Sequence, residues 1–262
     1  MTLTALAKAI LLNTISDFCT SRYALPDGRH IGRRRSLSIP YIIDRIIFVL
    51  ETGIQWSHLE VIGGSWKTIY HYFSSWSKAN LFERAYQHLI KVYVKTRGLS
   101  KEIIVDTSFI KNVFGRNCIG PSPFDRGRNA TKVSAITDKH GIPLCFTFHP
   151  GNKNDSRTLY HTLTKCTVEL KGTTLHADKI YDSEHCRNVI ASFGINNKVS
   201  KKKTIVSTED NKVRIVVEHL FAWLDKYRRI LVRFDGLIDR VRSFHYLAAM
   251  HITGRRTRVD LT

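Results

Sequence analysis

The feature that most constrains the fold of this chain is a change in hydrophobic period near Leu99. Before it, apolar residues recur at the three- and four-residue spacing of helices; after it, short apolar runs between turn residues are typical of strands. The order βββ-α-β-α-β-α predicts an α/β fold, a mixed sheet flanked by helices. The predicted strands are 102–111, 132–137, 142–149, 173–177 and 195–199; the predicted helices are 155 or 156 to about 170, 182 or 183 to 193, and a long one to about 230.

A hairpin is predicted between the second and third of these strands. Asp138-Lys139-His140-Gly141 joins two apolar runs, and a glycine in this position suits the turn of a hairpin. Three strands led by a hairpin and followed by alternating helices and strands give the element order of a ribonuclease H-like domain. We therefore predict such a domain for residues 98–262.

The first part of the chain, residues 1–97, predicts a small all-helical domain. Two of its successive helices could form a helix-turn-helix that presents Lys67 and His71 to a DNA groove. The alternative is a plain helical bundle in which the aromatic stripe is core. Three tryptophans are assigned to the core in either case: Trp56, Trp66 and Trp76.

The charge of the chain indicates the class of its partner. The formal net charge is +19, far more than solubility requires, and 43% of the 262 residues are hydrophobic, enough for one or two cores. A polyanion is therefore the expected partner. The alternative is a basic protein with solvated lysines, such as a ribosome-associated factor.

Cysteine usage and hydropathy indicate an intracellular protein without a membrane segment. The five cysteines are odd in number and contain no Cys-x-x-Cys pair, which predicts neither a disulfide framework nor a zinc knuckle. The apolar segment 3–15 is interpreted as a helix because it is short and contains Lys8 and Asn13. No run approaches the roughly 20 apolar residues that span a bilayer.

Asp106 is the strongest candidate for a catalytic residue. It interrupts the apolar run of residues 103–110, and an ionised side chain inside such a run must be paired or bound to a metal ion. The alternative is an amphipathic strand on which Asp106 faces water.

Two further carboxylates follow in segments that can converge on the same ions. Asp178 closes the strand 173–177; Asp182 is its competitor, but it stands where the next helix needs an N-cap. Glu218 borders the apolar stripe of the last predicted helix, whereas Glu209, a weaker substitute, lies in a polar segment. Carboxylates from a strand, a neighbouring strand end and a helix are the donors that divalent cations use in phosphoryl transfer on DNA.

Several segments together resemble one known family. The matching segments, in chain order, are 45–56, 64–70, Val105-Asp106-Thr107-Ser108-Phe109-Ile110-Lys111, 125–128 with Lys132, 138–144, 154–155, Ala177-Asp178-Lys179-Ile180-Tyr181-Asp182, and Arg214-Ile215-Val216-Val217-Glu218 followed by Trp223 and 227–229. The chain resembles the DDE transposases of bacterial insertion sequences, specifically the IS5-like group of the IS4/IS5 superfamily. The likeness extends from about residue 25 to 250.

The resemblance implies a catalytic triad of Asp106, Asp178 and Glu218 that binds Mg²⁺ or Mn²⁺, with two ions expected and Arg214 beside the glutamate. It implies hydrolysis at the ends of a mobile element and attack of the released 3′-hydroxyl on target DNA. The expected partner is double-stranded DNA, with at least a homodimer in the complex because two ends are brought together. The expected location is the nucleoid in a bacterial cytoplasm, or the nucleus in a eukaryote.

DNA-backbone contacts are predicted for a separate set of basic residues, in which the lysine run could equally be a solvated loop. These are Arg126, Arg128, Lys132 and the run 201–203.

The family pattern often has a tyrosine and a basic residue where this chain has Asn211 and Asp225; Lys226 and Arg228 could supply the basic function. Two other interpretations stay open. One is a domesticated DNA-binding protein without catalysis, and the other is a ribonuclease H-like nuclease that cuts without joining.

Overall fold

The computed structural model describes residues 3–23, 36–200 and 208–257. The chain divides into two compact units. The helical unit comprises Met1–Leu89, Tyr227–Ile230 and Asp239–Thr262, and the sheet unit comprises Ile90–Lys226 and Leu231–Ile238. Within the described ranges, no helix is long and apolar enough to cross a membrane.

The first four helices follow the predicted helical pattern. They are α1 (Ala5–Tyr23), α2 (Ile39–Thr52), α3 (Trp66–Lys78) and α4 (Leu81–Arg97). Helix α2 begins where the Ser38 hydroxyl accepts a hydrogen bond from the Tyr41 N–H at 3.4 Å, and it ends at Gly53, whose φ of 69° ends the helix in the left-handed region. Ser65 caps α3 in the same way, through the Lys67 N–H.

Of the successive helices, α3 and α4 are joined by Ala79 and Asn80 alone, whereas α2 and α3 lack the short turn of a helix-turn-helix. Residues 53–65 connect the two helices and contain a 3-10 turn at Trp56–His58, whereas a helix-turn-helix has a turn of about 3–4 residues. Trp56 and Trp76 are buried as predicted, but Trp66 is only half-buried because it lies in the first turn of α3, with Lys67 beside its ring.

The remaining elements alternate strands and helices. They are β1 (Glu102–Asn112), β2 (Gly120–Pro121), β3 (Asn129–Asp138), β4 (Pro143–Pro150), α5 (Asp155–Lys165), β5 (Thr174–Ala177), α6 (Glu184–Ser192), β6 (Asn196–Val199), α7 (Thr208–Leu224), α8 (Arg228–Leu231), β7 (Val232–Arg233) and α9 (Ile238–Thr257). The predicted long helix to about 230 is therefore wrong in its end, because α7 stops at Leu224 and the chain turns before α8.

The sheet confirms the predicted fold class, a ribonuclease H-like mixed sheet flanked by helices. Strand β1 is central, antiparallel to β3 and parallel to β5, while β4 extends the sheet beyond β3 and β6 beyond β5. Helix α5 packs on β3 and β4, and α7 packs on β1, β3 and β5. Strand β1 is thus paired on both edges and carries a helix, so its side chains have fixed neighbours.

The predicted hairpin joins β3 and β4. Asp138 is fully buried and its Oδ1 accepts hydrogen bonds from the N–H groups of His140 and Ile142, both at 2.9 Å. Gly141 has a φ of 71°, which a glycine adopts without strain. The Tyr93 hydroxyl donates to the other oxygen, Oδ2, at 2.6 Å. The turn is therefore anchored by a buried carboxylate as well as by its glycine.

The position of helix α9 differs from the prediction, which divided the chain at residue 97 and placed residues 98–262 in one domain. Residues 239–257 pack within the helical unit instead. The Phe244 ring lies 4.5 Å from that of Phe73 on α3, and the Tyr86 hydroxyl on α4 is 3.0 Å from the Thr253 hydroxyl. The helical core is therefore built from both ends of the described chain.

Candidate active site

Strand pairing brings Asp106 and Asp178 to neighbouring positions. The last printed pair of the parallel ladder is Ile104 with His176. Asp106 lies two residues beyond Ile104 within β1, and Asp178 lies two residues beyond His176, directly after the end of β5 at Ala177. Both side chains are half-buried.

Each aspartate accepts a hydrogen bond from the backbone N–H of the residue that follows it. The Asp106 Oδ1 accepts a hydrogen bond from the Thr107 N–H at 2.8 Å. The Asp178 Oδ1 accepts from the Lys179 N–H at 2.6 Å, because Asp178 caps a short 3-10 turn of residues 179–181. An ionised carboxylate has two acceptor oxygens with about four lone-pair sites, more than one local hydrogen bond uses.

Asp182, the competitor of Asp178, has a different setting. Its Oδ1 accepts a hydrogen bond from Arg187 Nη1 at 2.7 Å, an ion pair on the exposed side of α6. The N-cap of α6 is Ser183, whose hydroxyl accepts from the Cys186 N–H at 3.2 Å. The geometry therefore favours Asp178 for a role at the strand edge.

Glu218 lies on the helix that covers this part of the sheet. Val217, Leu220 and Leu224 bury one side of α7 against β1, β3 and β5. Glu218 follows Val217 and its side chain is exposed. The helix is thus in the predicted place, with the carboxylate at the border of the buried stripe rather than inside it.

The three predicted ligands have carboxylate oxygens, the donors that Mg²⁺ and Mn²⁺ prefer. Among residues 3–23, 36–200 and 208–257, however, no group of three His, Cys, Asp or Glu side chains is close enough to hold a metal ion. Asp106 and Asp178 therefore lie in adjoining segments of the sheet unit, whereas Glu218 is exposed on α7, and the three form no ready cluster.

Lys132 is not the exposed phosphate contact that was predicted. Its side chain is only 5% exposed, and its ammonium forms an ion pair with Asp155 and donates to the Lys153 carbonyl at 2.5 Å. The ring of Phe109 lies 4.9 Å from the same nitrogen. The burial follows from the position of Lys132 on β3, which has neighbouring strands on both edges and helix α5 on its face.

Asp155 and Tyr181 were given no role in the sequence analysis, although both lie in segments that resemble the family. Tyr181 is fully buried; burial raises the pKa of its phenol, and the negative charges of Asp155 and Asp106 raise it further. Tyr181 is therefore close enough to Asp106 and to Asp155, the partner of Lys132, for both charges to affect its pKa. The signal that could have found them is the unexplained Asn154-Asp155 pair at a predicted helix start.

A histidine beside the ion pair is held neutral. His149 is opposite Lys132 in the ladder of β3 and β4. Burial lowers its pKa to about 4, and the positive charges of His161, Lys153 and Lys132 act in the same direction. His149 therefore adds no positive charge at neutral pH.

The other predicted DNA contacts fall into two groups. Arg126 and Arg128 are exposed in the sheet unit, and Lys67 and His71 are exposed one turn apart on α3 of the helical unit. The side chain of Arg214 and the whole of residues 201–203 lie outside the described part of the structure. The four exposed residues are free to meet a polyanion from solvent.

Comparison with known proteins assigns the chain to a family. Residues 20–86 match the profile of candidate transposases of the IS4/5 family (DUF4096), and residues 98–252, more than half of the chain, match the transposase DDE domain. The chain belongs to the IS4/IS5 family of DDE transposases. The predicted family is thereby confirmed, and the DDE domain match contains Asp106, Asp178 and Glu218.

Two relatives of this transposase come from bacteria. A candidate transposase of insertion sequence element IS402 from Burkholderia cepacia is 33% identical over 135 residues, 48% of this chain and 64% of that protein. A candidate transposase of element IS6501 from Brucella ovis is 33% identical over 129 residues, 47% of this chain and 96% of that protein. The chain therefore spans just under two thirds of the first relative.

Among solved structures, the catalytic domain of Mos1 mariner transposase is similar to this transposase at 12% identity. The TM-score is 0.35, and the overlap covers 68% of this chain and 90% of that domain. The piggyBac transposase in a synaptic complex with hairpin DNA is similar at 9% identity and a TM-score of 0.38, over 74% of this chain and 49% of that one.

Proposed function

We propose that this transposase cuts DNA strands at the ends of its mobile element and joins the released 3′-hydroxyl ends to target DNA. Asp106 and Asp178 act as the central carboxylates, and Glu218 on α7 completes the set when DNA and metal ions are bound. The observation that carries this proposal is the parallel pairing of β1, which contains Asp106, with β5, which Asp178 directly follows, in the sheet that α7 covers.

The carboxylates are suited to hold Mg²⁺ or Mn²⁺, two ions in the proposed complex. Such ions lower the pKa of an attacking water or hydroxyl and stabilise the leaving oxygen at phosphorus. Asp106 and Asp178 are each oriented by one backbone N–H at 2.8 and 2.6 Å. Glu218, which is exposed on α7, completes the ligand set in the bound complex.

The basic surface is suited to hold the DNA. Arg126 and Arg128 contact phosphates in the sheet unit and Lys67 and His71 contact DNA from α3, which positions the duplex without reading its sequence at the phosphates. Arg214 is proposed to act beside Glu218. A homodimer holds the two element ends in one complex, since joining both ends needs two active sites.

The decisive experiment is cleavage of a labelled duplex that carries the DNA flanking this gene, with Mg²⁺ or Mn²⁺ and with EDTA. We expect metal-dependent nicking at the element boundary, abolished in Asp106→Asn, Asp178→Asn and Glu218→Gln while DNA binding persists. Asp182→Asn is the matched control, because its carboxylate already pairs with Arg187, and it should cut normally.

Metal binding supplies a readout that does not depend on cleavage. Titration of Mn²⁺ followed by electron paramagnetic resonance should show tighter binding to the DNA complex of the normal chain than to that of Asp106→Asn. If Glu218→Gln still cuts, Glu218 is not part of the triad. If the normal chain binds the element end but never cuts it, the chain is a domesticated DNA-binding protein instead.

A further inference from the structure

A compact loop in the sheet unit presents one aromatic side chain to solvent. We call residues 121–128 the Phe124 loop. The Ser122 N–H donates to the Arg128 carbonyl at 2.8 Å, and the Arg128 N–H donates to the Asp125 carbonyl at 2.8 Å. Ser122 is buried, and its hydroxyl accepts from the Phe124 N–H at 3.3 Å. The loop is therefore fixed by its own hydrogen bonds.

Phe124 contributes little to this internal order. Its side chain is 83% exposed. One edge contacts the ring of Phe109 at a centroid distance of 5.4 Å, in a T-shaped arrangement. Phe109 lies on β1, three residues after Asp106. The ring of Phe124 thus packs on the sheet through Phe109, while much of its surface stays in contact with water.

Phe124 forms part of the wall of an open cavity. The cavity has a volume of about 480 Å³, which is within the range of about 300–1,000 Å³ for ligand pockets. Ile180 forms another part of the wall, 44% exposed and two residues after Asp178. Polar groups are supplied by Ser122, Asn152 and Asn154. Its lining therefore combines apolar surfaces with a few hydrogen-bonding groups.

The rim of the cavity is basic. Arg126 and Arg128 are exposed on the Phe124 loop, Lys153 lines the cavity, and Lys179 precedes Ile180; all four are exposed. The one acidic lining residue, Asp155, is already paired with Lys132. An apolar cavity with a positive rim suits a flat, uncharged group that is attached to phosphates. The same positive rim disfavours a second copy of this chain, which carries a net charge of +19.

We propose that this cavity binds one unpaired nucleobase of the bound DNA, stacked on Phe124. The proposal rests on the proposed function, because it takes DNA as the ligand. Stacking on an aromatic ring tolerates any base, since every base has a flat π face. Asn152 and Asn154 line the same cavity and supply amide groups for the base edge; the Asn154 Oδ1 already accepts from Ser156, so Asn154 offers its N–H groups. The basic rim contacts the flanking phosphates. Phe124 is in this view a DNA-binding residue of the sheet unit.

The test compares two DNA duplexes of equal length, one fully paired and one with a single extra base that bulges from one strand. Affinities are measured with the full chain in EDTA, so that no strand is cut. The normal chain should bind the bulged duplex about tenfold more tightly than the paired one. Phe124→Ala should lose this preference, and Phe124→Trp should retain it.

Phe114→Ala is the matched control. Phe114 is 64% exposed in the same unit and also has one aromatic neighbour, Phe234, at 6.2 Å, but it does not line the cavity. It should keep the full preference for the bulged duplex.

Three outcomes would overturn the proposal: equal binding of both duplexes by the normal chain, an unchanged preference in Phe124→Ala, or an equal loss in Phe114→Ala. Failure to bind either duplex would instead overturn the proposed function, so the two failures are distinguishable.

Discussion

Replacement of Lys132 by methionine distinguishes two roles for this lysine, a contact with DNA phosphate and a structural ion pair. The sequence predicts a phosphate contact, whereas the structure shows a buried ion pair with Asp155 on a side chain that is 5% exposed. Removal of one partner of a buried pair costs about 3–5 kcal/mol, because the other charge is left uncompensated. Asp155 retains 16% exposure, so we expect a loss at the low end, about 3 kcal/mol of the free energy of unfolding.

The assay is thermal and urea unfolding of the full chain, followed by circular dichroism. A loss of about 3 kcal/mol corresponds to a decrease in Tm of roughly 6–12 °C for a protein of this size. Lys139→Met is the control, an exposed lysine in the same unit, and it should change the stability by less than about 0.5 kcal/mol. The double variant Lys132→Met with Asp155→Leu should recover part of the loss, since neither charge then lacks its partner.

The result that would refute this reasoning is a Lys132→Met variant as stable as the normal chain. If that variant also bound DNA more weakly, and with a shallower dependence on salt, the sequence prediction of a phosphate contact would be restored.

Two further predictions concern backbone packing and histidine titration. Gly151→Ala should destabilise the sheet unit by about 1–3 kcal/mol, because its new Cβ would lie 2.5 Å from the Gly120 carbonyl oxygen, whereas Gly236→Ala, with 3.7 Å to its nearest atom, should be tolerated in the same urea titration. The pKa values of His149 and His245 are both lowered to about 4, chiefly by burial, so their NMR signals should not titrate between pH 8 and 5.5. Because the folded chain resists protonation there, these groups stabilise it above pH 6.5 and lose that contribution as the pH falls towards 4; a midpoint above 6 for either would refute the burial argument.

The order of the elements was predictable because it depends on short stretches of chain. Strand β1 and the β3–β4 hairpin are marked by apolar runs and by Gly141, whose φ of 71° is set within the turn itself. The cap at Ser38 is equally local. Helix α9 was not recognised, since its buried residues, such as Phe244, find their partners on α3 and α4, far away in sequence.

The candidate site was predictable only in part. Asp106 follows from its position inside an apolar strand and Asp178 from its position directly after one, and these two strands, β1 and β5, pair in parallel. The burial of Lys132 was missed because its partner, Asp155, is 23 residues away and begins a helix. The exposure of Phe124 was missed as well, since it depends on hydrogen bonds that close the loop rather than on hydrophobic pattern.

Because α9 packs in the helical unit, a single cut in the chain cannot separate the two units of this transposase. The helices before and after residues 90–226 pack on each other. The Phe73 ring contacts that of Phe244, and the Tyr86 and Thr253 hydroxyls form a hydrogen bond. A fragment that begins after residue 97 would expose the residues of α9 that pack on α3 and α4. A chimera in which only the first helices were replaced would lose the contacts between those helices and α9. New combinations of the two units are therefore viable only when α1–α4, residues 227–230 and α9 are inherited together.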